Sequence, residues 1–237
     1  MDWLVVAGPI LLVGAVVQGA AGFGMNLVAA PLLALVEPAL VPVPLLIVAS
    51  AHGLLTIAQE YRDTDWRGVA WVTLGRLPGT VLGVLAVATL AERPFAAIVG
   101  GAVLVCVVLS VVSWRPQPRP ATLWTAGVAS GTFGTAASIG GPPIALVYQH
   151  QPGPRIRATL AACFGIGTAI SLAGLGIGGQ LHLSQLVLAA GLLPFLVAGF
   201  LLSGPLRRVL DNGRIRVAVL VISGGSGLAL LLRSIVG

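Results

Sequence analysis

The chain has 237 residues, 57% of them hydrophobic and only 8% charged, with a mean hydropathy of +1.02 and a formal net charge of +6. A soluble domain carries about 25% charged residues, so a mostly water-facing surface is excluded and a lipid-facing one is expected. All thirteen basic residues are Arg, and nearly all sit in short gaps between apolar runs. They therefore read as topology-setting loop charge, and no nucleic-acid partner is expected.

The first apolar stretch, 3–36, follows Asp2 and has no basic leader, so it does not read as a cleaved signal peptide. It is interrupted by GAAGFG at 19–24. As one straight helix it would measure about 50 Å, too long for one span and too short for two with a turn. Glycine clusters break helices, and non-helical backbone at bilayer depth is tolerated only inside protein or beside a watery cavity. Two half-helices meeting inside the membrane are predicted. Three runs of spanning length follow at 39–59, 67–90 and 94–113. After the linker 114–120 comes a second broken stretch, 121–149, interrupted by SGTFGTAASIGGPP at 130–143, and then spans at 158–178, 183–204 and 214–235. Cys106 and Cys163 lie within apolar runs without metal-ligand spacing, and read as small buried hydrophobes.

The order of elements repeats. A shift of 112 residues pairs Gly19 with Gly131, Gly22 with Gly134, Pro31 with Pro143, Gly53 with Gly165 and Thr56 with Thr168. A shift of 116 pairs Leu77 with Leu193, Pro78 with Pro194 and Gly83 with Gly199. The chain is thus expected to be all-α and polytopic, one integral membrane domain built from two repeats, 1–115 and 120–237. Internal repeats with interrupted helices are typical of secondary transporters.

Arginine placement bears on topology. If both broken stretches cross, five loop arginines fall on one side and seven on the other. If each dips in and returns, ten collect on one side and only Arg93 and Arg233 remain on the other. The second arrangement is favoured. It makes the halves an inverted repeat, with both termini outside the cytoplasm of a bacterial-type inner membrane.

The chemistry follows from the breaks. A half-helix beginning mid-membrane turns unpaired N–H groups and a positive dipole end toward the cavity. Segments starting near Gly24 and Gly140 would do so from two directions, with Gly22 and Gly141 permitting close approach. Gln18 and Asn26 in the first half, and Thr132, Thr135 and Ser138 in the second, could add hydrogen bonds to an oxyanion. Arg76 lies about nine residues, roughly 14 Å, into its span. A cation there is unfavourable by about 2.5 kcal/mol or more. The seven acids all lie in loops or at span ends, so Arg76 is to be met by backbone carbonyls, water or an anionic substrate, with snorkelling to an interface also open. The same lack of carboxylates argues against a cation or metal site. His52 is an intramembrane group able to titrate near neutrality; a coupling role and a satisfied interior histidine both stay open.

The stretch GAAGFGMNLVAAPLLAL at 19–35, and its counterpart SGTFGTAASIGGPPIALVY at 130–148, resemble the TauE/SafE family of sulfite exporters. The resemblance covers essentially the whole chain. It departs in the first half, where GFGMN stands in place of a run of glycines. It implies a transporter of sulfite, sulfoacetate or a related sulfur-containing anion; thiosulfate or a carboxylate stays open. The partners expected are a small anion and the lipid bilayer, with a homodimer open. No cofactor and no enzymatic activity are expected, and no GxxxxGK[ST] motif for ATP hydrolysis is present. A non-transporting scaffold has no use for repeated breaks. An intramembrane serine protease built on Ser226 would need a base nearby, and the neighbouring connectors offer only His182 near a span end.

Overall fold

A computed structural model describes residues 2–21, 23–111, 116–206 and 212–236. These form ten α-helices: α1 (Asp2–Ala21), α2 (Met25–Val36), α3 (Val43–Glu60), α4 (Trp66–Thr89), α5 (Glu92–Val111), α6 (Pro120–Ala137), α7 (Gly141–Tyr148), α8 (Gly153–Ile177), α9 (Leu183–Leu206) and α10 (Asn212–Val236). Two 3-10 turns, Pro38–Leu40 and Tyr61–Asp63, flank α3. No strand is found among the described residues. Among the described residues, five stretches are long and apolar enough to cross a membrane: Pro38–Ala58, Trp66–Thr89, Pro94–Val111, Gly153–Ile177 and Leu183–Gly204. They match five of the six spans expected. The sixth, 214–235, is also helical, but its described apolar part is the shorter Val219–Ser234.

Both broken stretches are helix–break–helix. α1 ends at Ala21 and α2 begins at Met25, while α6 and α7 flank Ser138–Gly140, so that 130–137 and 141–143 of the expected second interruption are helical. Outside the breaks, local sequence sets the ends. Asp65 caps α4 by accepting the Gly68 N–H at 3.1 Å. Pro120 opens α6 at its first position, where a missing N–H costs nothing.

Glycine stripes decide the packing. Gly75, Gly79 and Gly83 of α4 lie against Trp124, Val128 and Thr135 of α6, while Gly127 and Gly131 of α6 lie against Val72 and Arg76. A Cβ at any of the five would strike the partner helix, usually its backbone. The two helices therefore run in the same direction at the close approach that small residues allow. α1 and α9 pair likewise, with Trp3 at Gly191, Gly8 at Phe195 and Leu12 at Gly199. α8 also runs with α4, since Gly174 and Gly178 meet Thr80 and Val84.

Two other pairs run in opposite directions. Ser50 of α3 meets Thr168 of α8 at 2.8 Å, and Gly53 faces Gly165. Gly100 and Val103 of α5 meet Leu231 and Gly227 of α10. Each of these pairs joins elements that the sequence shifts of 112 and 116 residues would align.

The Asp65 end of α4 is tied to both ends of a connector. Asp65 accepts the Tyr148 hydroxyl at 3.0 Å, pairs with Arg155 at 3.4 Å, and donates its N–H to Thr159 at 3.0 Å. α6 begins at that end of α4 and α7 finishes there, so the two form a hairpin whose tip is the break. Burial works against the Asp65 charge, but the Gly68 amide, the Tyr148 hydroxyl and Arg155 outweigh it and hold the carboxyl below its ordinary value. Large apolar side chains stand exposed along the outer helix faces, among them Leu74, Leu77, Val81 and Leu85 of α4 and Leu183, Val187 and Leu201 of α9. This outer apolar belt is what a lipid-facing surface requires.

Candidate functional site

The two breaks meet. The first ends at Gly24, which caps α2 with φ 117°, a left-handed value suited to glycine. The second turns at Ser138, with φ 62°. A left-handed conformation is uncommon for serine, and here both polar groups of the residue hold it. The Ser138 hydroxyl donates to the Pro42 carbonyl at 2.9 Å, and the Ser138 carbonyl accepts the Asn26 amide at 2.7 Å.

Between the breaks lies a cavity of about 30 Å³, room for a water or two. Gln18, Gly24 and Asn26 line it from the first half; Gly134, Ser138, Ile139, Gly140 and Gly141 line it from the second. Arg76 of α4, Leu46 and Ala49 of α3, and Phe164 and Thr168 of α8 complete the wall. Of the residues expected at the site, Gln18, Gly24, Asn26, Arg76, Ser138, Gly140 and Gly141 thus come to one place. Gly22 lies outside the described residues. Thr135 is fully buried behind the wall, and Thr132 turns its hydroxyl to the Val128 carbonyl of its own helix.

Arg76 is 2% exposed. Among the described residues its hydrogen-bond partners are neither a carboxylate nor the carbonyls considered from sequence, but serine hydroxyls. Nη1 donates to Ser130 at 2.7 Å and Nη2 to Ser171 at 3.2 Å. Ser171 spends its own proton on the Gly167 carbonyl at 3.0 Å, so Thr135 donates to Ser171 at 2.7 Å. Three glycines cradle the guanidinium. A Cβ at Gly167 would lie 2.5 Å from its Cζ, one at Gly134 2.7 Å from Nη2, and one at Gly140 3.1 Å from Nη1. Nε has no hydrogen-bond partner among the described residues. The site therefore holds a fixed positive charge in a slot shaped by missing side chains.

The helix starts contribute less evenly than glycine content suggests. At α7, Pro142 and Pro143 carry no N–H, and the N–H groups of Ser138 and Ile139 turn back to the Phe133 carbonyl. Only Gly140 and Gly141 remain as backbone donors there. At α2, the Met25 N–H is engaged by Gln18 Oε1 at 3.3 Å.

His52 is not in this cavity. It lines a smaller neighbouring one with Gln18, Thr56, Arg157 and Phe164. Gln18 and Phe164 belong to both. The residues missed in sequence are Ser130, Ser171, Phe164 and Thr168. Two had a signal: Ser130 lies 112 residues after Gln18, and Thr168 matches Thr56 at the same shift.

Apolar helices on this scale, with two helix breaks meeting at a cavity beside a buried arginine, define a multi-pass membrane protein. The family model for the sulfite exporter TauE/SafE matches residues 6–230, and the chain belongs to that family. It is also similar to the probable sulfite/organosulfonate exporter TauE of Cupriavidus necator, with 27% identity over 201 residues, 80% of this chain and 78% of the relative. No solved structure matches the chain.

Proposed function

We propose that this chain is a secondary exporter of a small sulfur oxyanion, sulfite or an organosulfonate such as sulfoacetate, working by alternating access. The observation that carries the reading is Arg76, buried beside the cavity with two serines and, among the described residues, no acid as partners. A charge so placed is expensive unless function uses it, and an anion would complete it. Backbone donors at Gly140 and Gly141, with Asn26 and Gln18, would orient the oxygens.

We read the two halves as an inverted repeat with re-entrant hairpins. In support, corresponding elements α3 and α8, and α5 and α10, pair in opposite directions. Tyr148, at the end of α7, shares an end of the bundle with Asp65, and Leu35, near the end of α2, accepts from Arg233 at the other. Arg62, Arg67, Arg119, Arg155 and Arg157 then face the cytoplasm of a bacterial-type inner membrane, and both termini face outward. A cavity of about 30 Å³ corresponds to an occluded state; substrate enters when the hairpins part.

The test is flux of sulfite, sulfoacetate, thiosulfate and a simple carboxylate into proteoliposomes. Transport of a sulfur oxyanion, lost in Arg76→Gln, supports the reading. Transport confined to the carboxylate would reassign the substrate, and no flux of any anion by folded protein would defeat it.

A further inference from the structure

Gln18 stands between the two cavities, and its amide is held at both ends. Its Oε1 accepts the Met25 N–H at 3.3 Å, which fixes which end is oxygen. Its Nε2 therefore points at His52 Nδ1, 3.1 Å away, and must be the donor. His52 Nδ1 is then an acceptor, and the ring in this arrangement is neutral with its proton on Nε2. The ring is 2% exposed and meets Phe200 edge-on at 5.4 Å.

A proton added to Nδ1 cannot coexist with this amide. Two donors would face each other across 3.1 Å. Turning the Gln18 amide over gives Nδ1–H an oxygen, but it brings Nε2 against the Met25 N–H. That N–H, in the first turn of α2 between the cavity-lining Gly24 and Asn26, is then released.

We infer that His52 is a proton-coupling site, and that the Gln18 amide transmits its protonation to the anion site by freeing the Met25 N–H as a donor to bound anion. The inference rests on the anion site proposed above. It balances: one proton arrives on Nδ1, no bond other than hydrogen bonds changes, and the complex gains one positive charge as it binds one negative charge. Among the described residues, the groups facing His52 include no acid. α1 presents Gln18; α8 presents Arg157 and Phe164 across the small cavity; α9 presents Phe200. Thr56, on the same helix, gives its proton to the His52 carbonyl at 3.0 Å and can only accept from Nδ1, at 3.4 Å. Arg157 and Arg76 are permanent cations, so a further charge on His52 is best tolerated when an anion is bound. By linkage, proton and anion each raise the other's affinity.

The probe is methanesulfonate, whose charge does not change near neutrality, so that any pH effect belongs to the protein. The expected result is binding about tenfold tighter near pH 5.5 than near pH 8, with uptake of about one proton per anion bound in weak buffer. His52→Gln keeps an amide at the position but cannot titrate. It should bind methanesulfonate with neither pH dependence nor proton uptake. Gln18→Met leaves His52 in place but cuts the link, and serves if the first variant does not fold; it too should lose the pH dependence. Retained proton uptake in a folded His52→Gln protein would overturn the inference. Equal wild-type affinity at both pH values would also overturn it while leaving the anion site standing. No binding at either pH would overturn both.

Discussion

The Asn26 amide donates to the Ser138 carbonyl at 2.7 Å, and the two residues are 112 positions apart, the shift that aligns the repeats. The contact thus joins equivalent points of the two breaks. Asn26→Leu would leave the Ser138 carbonyl buried without its partner, at a cost of about 1–3 kcal/mol. The expected outcome is a melting temperature several degrees lower in detergent and weaker anion binding. A variant with wild-type melting would show that the contact does not hold the breaks together.

Gly167→Ala places a Cβ 2.5 Å from the Arg76 Cζ. The guanidinium must leave its serines or α8 must move. Anion flux should fall about tenfold or more, as for a misplaced binding group. Gly101→Ala, where a Cβ meets nothing within 4 Å, should transport normally. Comparable flux in the two proteins would remove the cradle from the argument.

Arg76→Lys keeps the charge but replaces a planar fork with a single ammonium, which cannot hold the two serines in the same geometry. Flux should fall between those of wild type and Arg76→Gln. Equality with Arg76→Gln would mean that fork geometry matters and charge alone does not suffice. Equality with wild type would reduce the role of Arg76 to charge.

The Asp65 carboxyl is held below its ordinary value in the folded protein. Its contribution is therefore fully present above the unfolded carboxylate pKa, about 3.9, and is lost as pH falls through the lower folded value. Asp65→Asn should lower stability at neutral pH, and the gap from wild type should narrow only on strong acidification. A gap that closes already near pH 6 would point to another group. Tyr148→Phe, which removes one of the Asp65 partners, should cost about 1 kcal/mol.

Single-cysteine labelling checks the hairpins directly. Residues 36–44 should label from outside and residues 150–157 from the cytoplasm. The reverse for either segment would sink the re-entrant arrangement.

Much of this was readable from the chain because the membrane restricts what backbone can do. The glycine-rich stretches at 19–24 and 130–143 marked where the breaks fall, although 19–21 and 130–137 stay helical, and the depth of Arg76 favoured an interior position. Its partners were not readable. Ser130 and Ser171 lie 54 and 95 residues away, and no local periodicity encodes which helix faces meet. Asp65 looked like an ordinary loop acid, because its role depends on where Tyr148 returns. The expectation of unpaired N–H groups where α7 starts overlooked what the letters already said, since Pro142 and Pro143 have no N–H. The hydroxyl of Ser138 was expected to face an anion but is spent on Pro42.

Arg76 has no twin. Its equivalent at the shift of 116 is Leu192, fully buried and apolar. Two identical inverted halves would give inward-open and outward-open states of equal energy, each the mirror of the other in sequence. A single arginine, cradled by Gly134, Gly140 and Gly167 of the second half alone, breaks that degeneracy. Under the alternating access proposed above, the two open states then differ in energy and in hold on the anion. Half-saturation should differ between the two faces of the membrane, while net flux still follows the gradient.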